Sequence, residues 1–302
     1  MNFVYQYPDV HGTEADMLDA GPVDEVARAV ETAGFAAIAF TEHPAPGARW
    51  LGAGGHQTLD PFVALAFAAA ATDRIRLLTY LCVLPYKNPL AIAKSAATVD
   101  KLSGGRFILG VGTGYLKGEF KALGVDFDKR NLLFDEALEV MPLHWSGEPF
   151  NYTGSHFEAR ETIGRPRPLQ QPIPIWIGGN SRLTRRRVAE KAQGWMPLVM
   201  PPAQMSTVRT SAIGGIGEVA AQITEIREAA AARGETIDVL FPYMDQSIHD
   251  SPGRDVLRHQ EAFAELEDAG VNWVGLAGTT KSLDATLDFV ARFGDSYIAG
   301  AP

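Results

Sequence analysis

Cysteine is almost missing from this chain of 302 residues: Cys82 stands alone. One thiol cannot close a disulfide within the chain, which fits a reducing compartment. Its place in an apolar run predicts a buried, inert side chain rather than a nucleophile. No HExxH, CxxC or paired-histidine pattern is present, so no metal site is predicted. No GxSxG elbow offers a hydrolase serine. Long hydrophobic runs are absent as well. The longest, Pro61 to Ala71, is too short and too rich in alanine to span a bilayer. The opening MNFVYQYPD lacks the basic region and apolar core of a signal peptide, and a cytoplasmic protein is expected. Positive charge is the scarcer sign, with 27 Lys and Arg against 36 Asp and Glu, a net charge of −9. The densest basic cluster, Arg182 with Arg185, Arg186 and Arg187, is short and falls on a predicted helix. No stripe follows a phosphate backbone, so nucleic acid is excluded as a partner.

What is present is an ordinary globular composition, 46% hydrophobic and 21% charged, long enough for a large core. The chain is organised around residues 74–119. Ile75, Leu77, Leu78, Leu81, Val83 and Leu84 make a nearly continuous apolar run, as a strand covered on both faces requires. Pro85 and Pro89 end it. Ile92, Ala96, Val99 and Leu102 then recur at helical spacing, and Ser103-Gly104-Gly105 stops that helix. Phe107 to Val111 is a second buried strand, opening into Gly112-Thr113-Gly114. This is a βαβ unit. The same alternation places strands near 2–6, 35–41, 75–82, 107–111, 174–178, 194–200, 238–243 and 272–276, with helices between. Eight strands and no interdomain linker predict one (β/α)8 TIM barrel with insertions over residues 1–302, an open doubly wound sheet being the alternative. Residues 147–160 have hairpin character.

In a barrel the active site is built by residues just past the strand ends. Those are Gln6 and Tyr7; Glu42 and His43; Thr79 to Cys82; Thr113 and Tyr115; Gly178 to Ser181; Trp195 and Pro197; Tyr243; Gly278 and Thr279. A histidine at such a mouth is a natural proton donor or acceptor near neutral pH, and His43 is the sharpest candidate; Tyr115 is next in line. Glu42 is expected to turn away and hold the loop, because side chains alternate along a strand. Gly178-Gly179-Asn180-Ser181 opens a helix and can serve either as a phosphate site or as an ordinary cap. Gly110-Val-Gly-Thr-Gly114 is spaced GxGxG, unlike a dinucleotide fingerprint, but leaves room for a flat ring against the backbone. His144, His156, His249 and His259 are expected to be solvated.

The order Glu42-His43, then RIRLLTYLCVLPYKNPLAIAKSAATVDKLSGGRFILGVGTGY with EFKALGV, then RPLQQPIPIWIGGNS and AEKAQGWMP resembles the bacterial luciferase-like monooxygenase superfamily. More narrowly it is similar to the branch that uses the deazaflavin coenzyme F-420. The resemblance covers nearly all of residues 1–200 and, more loosely, 235–290. It implies a barrel holding a flavin or deazaflavin at its C-terminal mouth, with His43 as the active-site histidine and Glu42 as its acidic neighbour. It also implies a cis peptide at Tyr80-Leu81, a ring and ribityl loop at Gly112, Thr113 and Gly114, and a phosphate site at Gly178, Gly179, Asn180 and Ser181. Thr79 and Trp195 complete the expected cofactor shell. Tyr115 stands where F-420-dependent sugar-phosphate dehydrogenases carry glutamate, and Pro44 where luciferases carry a second histidine. Neither sugar-phosphate oxidation nor aldehyde luminescence is therefore implied.

The resulting expectation is an oxidoreductase acting on a small organic molecule, with coenzyme F-420 favoured and FMN as the alternative. Hydride transfer and monooxygenation both fit, because reduced FMN reacts readily with oxygen whereas the deazaflavin mainly moves hydride. A non-catalytic flavin-binding barrel and a phosphosugar-binding isomerase are the competing readings; the isomerase would need a carboxylate pair or a lysine at the mouth. Small residues dominate helices 61–71 and 89–102, and together with the resemblance they predict a homodimer.

Overall fold

A run of wholly apolar strands leaves no face or edge that water can satisfy, and closing the sheet into a barrel removes the edges. The computed structural model describes residues 1–11, 16–199, 210–278 and 282–299, and it closes in this way. Eight parallel strands succeed one another: β1 (Asn2–Gln6), β2 (Ala37–Phe40), β3 (Arg76–Thr79), β4 (Phe107–Gly112), β5 (Ile175–Gly178), β6 (Gly194–Met196), β7 (Asp238–Pro242) and β8 (Trp273–Ala277). Each pairs with the next. β8 returns to β1, with Asn2 opposite Trp273 and Gln6 opposite Ala277. The helix after each strand packs outside. Pro61–Ala71, for example, is capped by Asp60, whose carboxylate accepts from the Phe62 and Val63 amides. The expected (β/α)8 barrel is the observed fold, and no helix among the described residues is long and apolar enough to cross a membrane.

The alternation of each strand sorts the core into two layers. Val4, Ala37, Ala39, Leu78, Ile108, Trp176, Met196, Leu240 and Trp273 fill the lumen. Their neighbours Tyr5, Ile38, Leu77, Leu109, Ile177, Trp195 and Val239 face the helices. Inside, the Trp176 and Trp273 rings meet edge to face, centroids 5.1 Å apart. That volume leaves no space beside Trp176, and a Cβ added to Gly194 would run into its ring.

The structure corrects three sequence expectations here. Strand 75–82 is not continuous: β3 stops at Thr79, the chain passes through a cis Tyr80-Leu81 bond, and Cys82–Val83 pair anew with Val111 and Gly112. An unbroken apolar run carries no mark of that interruption. Strand 194–200 is shorter, ending at Met196, while Met200 and Thr279 lie outside the described residues. His144 and His259 are buried rather than solvated; His259 lies 2.8 Å from the Tyr243 hydroxyl through Nδ1. The hairpin expected over 147–160 is present as Phe150–Thr153 against Glu158–Thr162. A second ladder, Val10–His11 against His56–Gln57, was not expected.

Gly194→Ala should lower stability by about 1–3 kcal/mol, the usual cost of overfilling a packed core. Denaturant unfolding measures it, and an unchanged midpoint would mean that the lumen has slack beside Trp176.

Candidate functional site

β2 ends at Phe40, and Thr41, Glu42 and His43 carry the chain over the barrel mouth. Successive side chains diverge. The Glu42 carboxylate is buried and accepts from the Val83 amide at 2.7 Å and from Lys87 Nζ at 2.5 Å. Glu42 thus braces the loop after β3 and is withdrawn from the expected cofactor shell. His43 takes the other direction. Its backbone amide donates to Thr58 Oγ1, and its ring lies among Trp50, His56 and Tyr115, with centroids 4.8, 4.7 and 6.1 Å away.

His43 Nδ1 is 3.0 Å from Glu119 Oε2, and the two side chains are 9% and 1% exposed. Glu119 comes from the short helix Lys117–Ala122 that follows β4, where only it and Phe120 are buried. The same Oε2 accepts from the Tyr86 hydroxyl at 2.9 Å, and Oε1 from the Ala45 amide at 3.2 Å. Sequence reasoning passed over Glu119. The signal available was spacing, since it stands four residues beyond Tyr115 and beside the one aromatic residue of its segment.

Asp9 was missed as well. It stands three residues past β1, accepts from Gln6 Nε2 at 2.9 Å and from the Thr41 hydroxyl, and lies 3.6 Å from His56 Nε2. Burial pushes its carboxyl up to about 6, against the pull of Thr41 and His43. Burial pushes His56 down to about 3, helped by His43 and His11, so His56 is a neutral ring. Burial, then the Glu119 and Asp9 charges, push the Tyr115 phenol up to about 12, so Tyr115 keeps its proton. This side of the mouth is therefore a half-dry cluster in which neutral rings surround His43.

The floor is made by the loop after β3. A Cβ on Gly112 would lie 2.5 Å from Leu81 Cδ1, and one on Gly178 2.6 Å from Leu81 Cδ2. Leu81 therefore seats itself across two glycines at the end of the lumen, and Tyr80 packs with it against the inner layer. Gly114 turns the next loop at φ 75°. The Thr79 hydroxyl donates to the Gly110 carbonyl at 2.7 Å and the residue is fully buried, so its side chain pins β4.

The loop Gly178 to Ser181 does open a helix, Arg182–Lys191, with Ser181 Oγ accepting from the Thr184 amide at 3.0 Å. Asn180 holds neighbouring backbone. Its amide is spent on the Leu198 and Ser211 carbonyls and the Leu198 amide, and it is buried. Trp195 also bonds within the protein. It follows lumen-facing Gly194, so alternation turns it outward, where Nε1 donates to the Gly179 carbonyl at 2.8 Å. An anion here would meet helix amides rather than the Asn180 side chain. Among the described residues no cluster of three His, Cys, Asp or Glu is arranged to hold a metal ion.

A family profile described as luciferase-like monooxygenase matches residues 1–245. An uncharacterized protein of Mycobacterium tuberculosis strain H37Rv is 36% identical over 141 residues, 46% of this chain and 50% of that one. The FMNH(2)-dependent dimethylsulfone monooxygenase of Pseudomonas putida is 30% identical over 174 residues, 56% of this chain and 44% of that one. The chain thus spans about half the length of the curated relatives it matches. Among solved structures, a monooxygenase, RslO1, from Streptomyces bottropensis superposes with a TM-score of 0.75 at 22% identity, covering 98% of both chains. An F-420-dependent secondary alcohol dehydrogenase superposes at 0.74 and 17% identity, covering 100% of this chain and 99% of that one. At those identities the superpositions speak for the fold.

Asp9 yields a pH signature. Its carboxyl sits at 3.8 when unperturbed and about 6 when folded, so between those values the folded state holds the extra proton. Stability should fall as pH rises through that window and level off above it. Asp9→Asn should remove the fall. Relative to the parent, the variant should gain on the order of 2 kcal/mol between pH 4 and pH 7 in urea unfolding. A pH-independent difference would mean that Asp9 titrates normally.

Proposed function

The chain belongs to the luciferase-like monooxygenase family, and from that premise we propose that it is an oxidoreductase acting on a small organic substrate. It would bind a deazaflavin or flavin across the barrel mouth, coenzyme F-420 first and FMN second. The residues at the mouth fit a flat ring system. Leu81 over Gly112 and Gly178 makes a low apolar floor, and the ring cluster around His43 makes a wall. The first-turn amides of helix Arg182–Lys191 suit a phosphate tail. When bound, the cofactor supplies hydride transfer or, with oxygen, monooxygenation.

The observation that carries the reading is His43, held by a buried carboxylate at the C-terminal mouth and flanked by Tyr115 and Trp50. In this reading His43 exchanges a proton with the substrate at its remaining ring nitrogen, while Tyr115, protonated up to about 12, offers a neutral hydrogen bond. Trp50 and Leu81 exclude water and hold the substrate near the imidazole. The homodimer and the cytoplasmic setting belong to the same proposal. Val63 and Phe67, 60% and 64% exposed on helix Pro61–Ala71, are the apolar face such a dimer would cover.

Absorbance titration with F-420 and with FMN tests the premise, and binding of neither removes it. His43→Ala should keep cofactor affinity while lowering turnover at least about a hundredfold; turnover at the parent rate would make His43 a bystander. Ser181→Asp keeps a good helix cap but sets negative charge against a phosphate. It should weaken cofactor binding by about tenfold or more, ~1.4 kcal/mol. Unchanged affinity would leave the loop as a cap only.

A further inference from the structure

We propose that Glu119 is the positioning residue for His43: it fixes the imidazole with its proton on Nδ1 and leaves Nε2 as the atom that gives and takes protons at the mouth. The proposal rests on the functional reading above, and it begins from what a carboxylate can do. An ionised carboxylate has no proton to give and only accepts. Each polar neighbour of Glu119 is accordingly a donor: the Tyr86 hydroxyl and Ala45 amide by chemistry, and His43 Nδ1 by elimination. A bare Nδ1 lone pair at 3.0 Å from that oxygen would face it lone pair to lone pair. The neutral imidazole is therefore the Nδ1–H tautomer, and Nε2 is the acceptor.

Burial strengthens the argument. Glu119 is 1% exposed, and among the described residues His43 is the only basic group within ion-pair distance of it. Lys87, next to the Tyr86 that donates to Glu119, is committed to Glu42 and Asp60. A buried carboxylate with no lysine or arginine depends on its donors, and it gains most when the imidazole takes a second proton. The pair then serves as a reversible proton carrier. When Nε2 accepts a proton, the positive charge forms beside Glu119; when Nε2 releases it, the Nδ1–H bond and the ring orientation stay in place. The balance is one proton moved to or from the substrate at Nε2, with no proton transferred to the carboxylate.

The other groups around the imidazole do not take over this role. His56 is a neutral ring edge-on to His43, Tyr115 keeps its proton, Trp50 has none to exchange, and Asp9 faces Gln6, Thr41 and His56. Tyr86 donates to the same Oε2 that faces His43, so the carboxylate cannot swing from His43 without giving up that bond as well.

The test has a structural arm and a kinetic arm. In the parent protein labelled with 15N at histidine, His43 should show the Nδ1–H tautomer when neutral; the Nε2–H tautomer overturns the proposal without any variant or cofactor. Glu119→Gln keeps the length and still accepts from Ala45, but an amide can face Nδ1 with its oxygen or its NH2, so both tautomers should appear. Its kcat should fall ten- to a hundredfold with KM within about twofold, because binding is left and proton transfer is not. Glu119→Asp should recover part of that loss. In the His43→Ala background Glu119→Gln should have no further effect on kcat, since the two residues act as a unit. A parent-like kcat in folded Glu119→Gln, with His43→Ala still slow, sinks this proposal alone. A parent-like kcat in His43→Ala sinks the functional reading, while the tautomer result stands apart.

Discussion

Two buried carboxylates hold the mouth of this barrel together. Charge taken out of water costs several kcal/mol per group unless donors replace the lost hydration. Glu42 and Glu119 meet that demand by reaching across loops. Glu42 ties the end of β2 to Val83 and Lys87 after β3. Glu119 ties the helix after β4 back to Ala45 and His43 after β2, and to Tyr86 after β3. Three successive loops are therefore cross-linked by acceptors that cannot leave without stranding a charge. The direction of His43 follows from these links.

Burial sets the electrostatics of the mouth. The mouth is dry enough to keep the Tyr115 phenol protonated up to about 12, to lower His56 to about 3 and to raise Asp9 to about 6. A reacting group enters a cluster whose protonation states are already distributed, and little reorganisation remains to be supplied at the moment of reaction. The inner layer works from below. Trp176, Trp273 and Leu240 close the lumen, so that Tyr80 and Leu81 form a floor.

The barrel was legible because its signals are local and repeated. Apolar runs bounded by proline and glycine, with helical spacing between them, recur eight times, and the boundaries fell within a few residues of those observed except at β6. His43 was legible for a related reason: it is the histidine at a strand end, and strand ends meet at one face. Glu119 was not, because a carboxylate in LKGEFKALG reads as a solvated helix charge until a histidine 76 residues earlier is folded against it. Trp195 is the opposite case. It was expected just past a strand end, in the cofactor shell, but alternation gives that strand's inward places to Gly194 and Met196.

Sequence alone determined what depends on neighbours along the chain: the periodicities, the helix caps at Asp60 and Ser181, the glycines at the mouth and the strand that delivers His43. Tertiary structure alone decided what depends on residues brought from afar. It decided that Glu42 and Glu119 take different partners, that Asn180 is spent on Leu198 and Ser211, and that His259 is buried against Tyr243. The physical reason is that a hydrogen bond's partner and a charge's solvation are properties of a place in three dimensions, and chain spacing specifies such a place only once the barrel has closed.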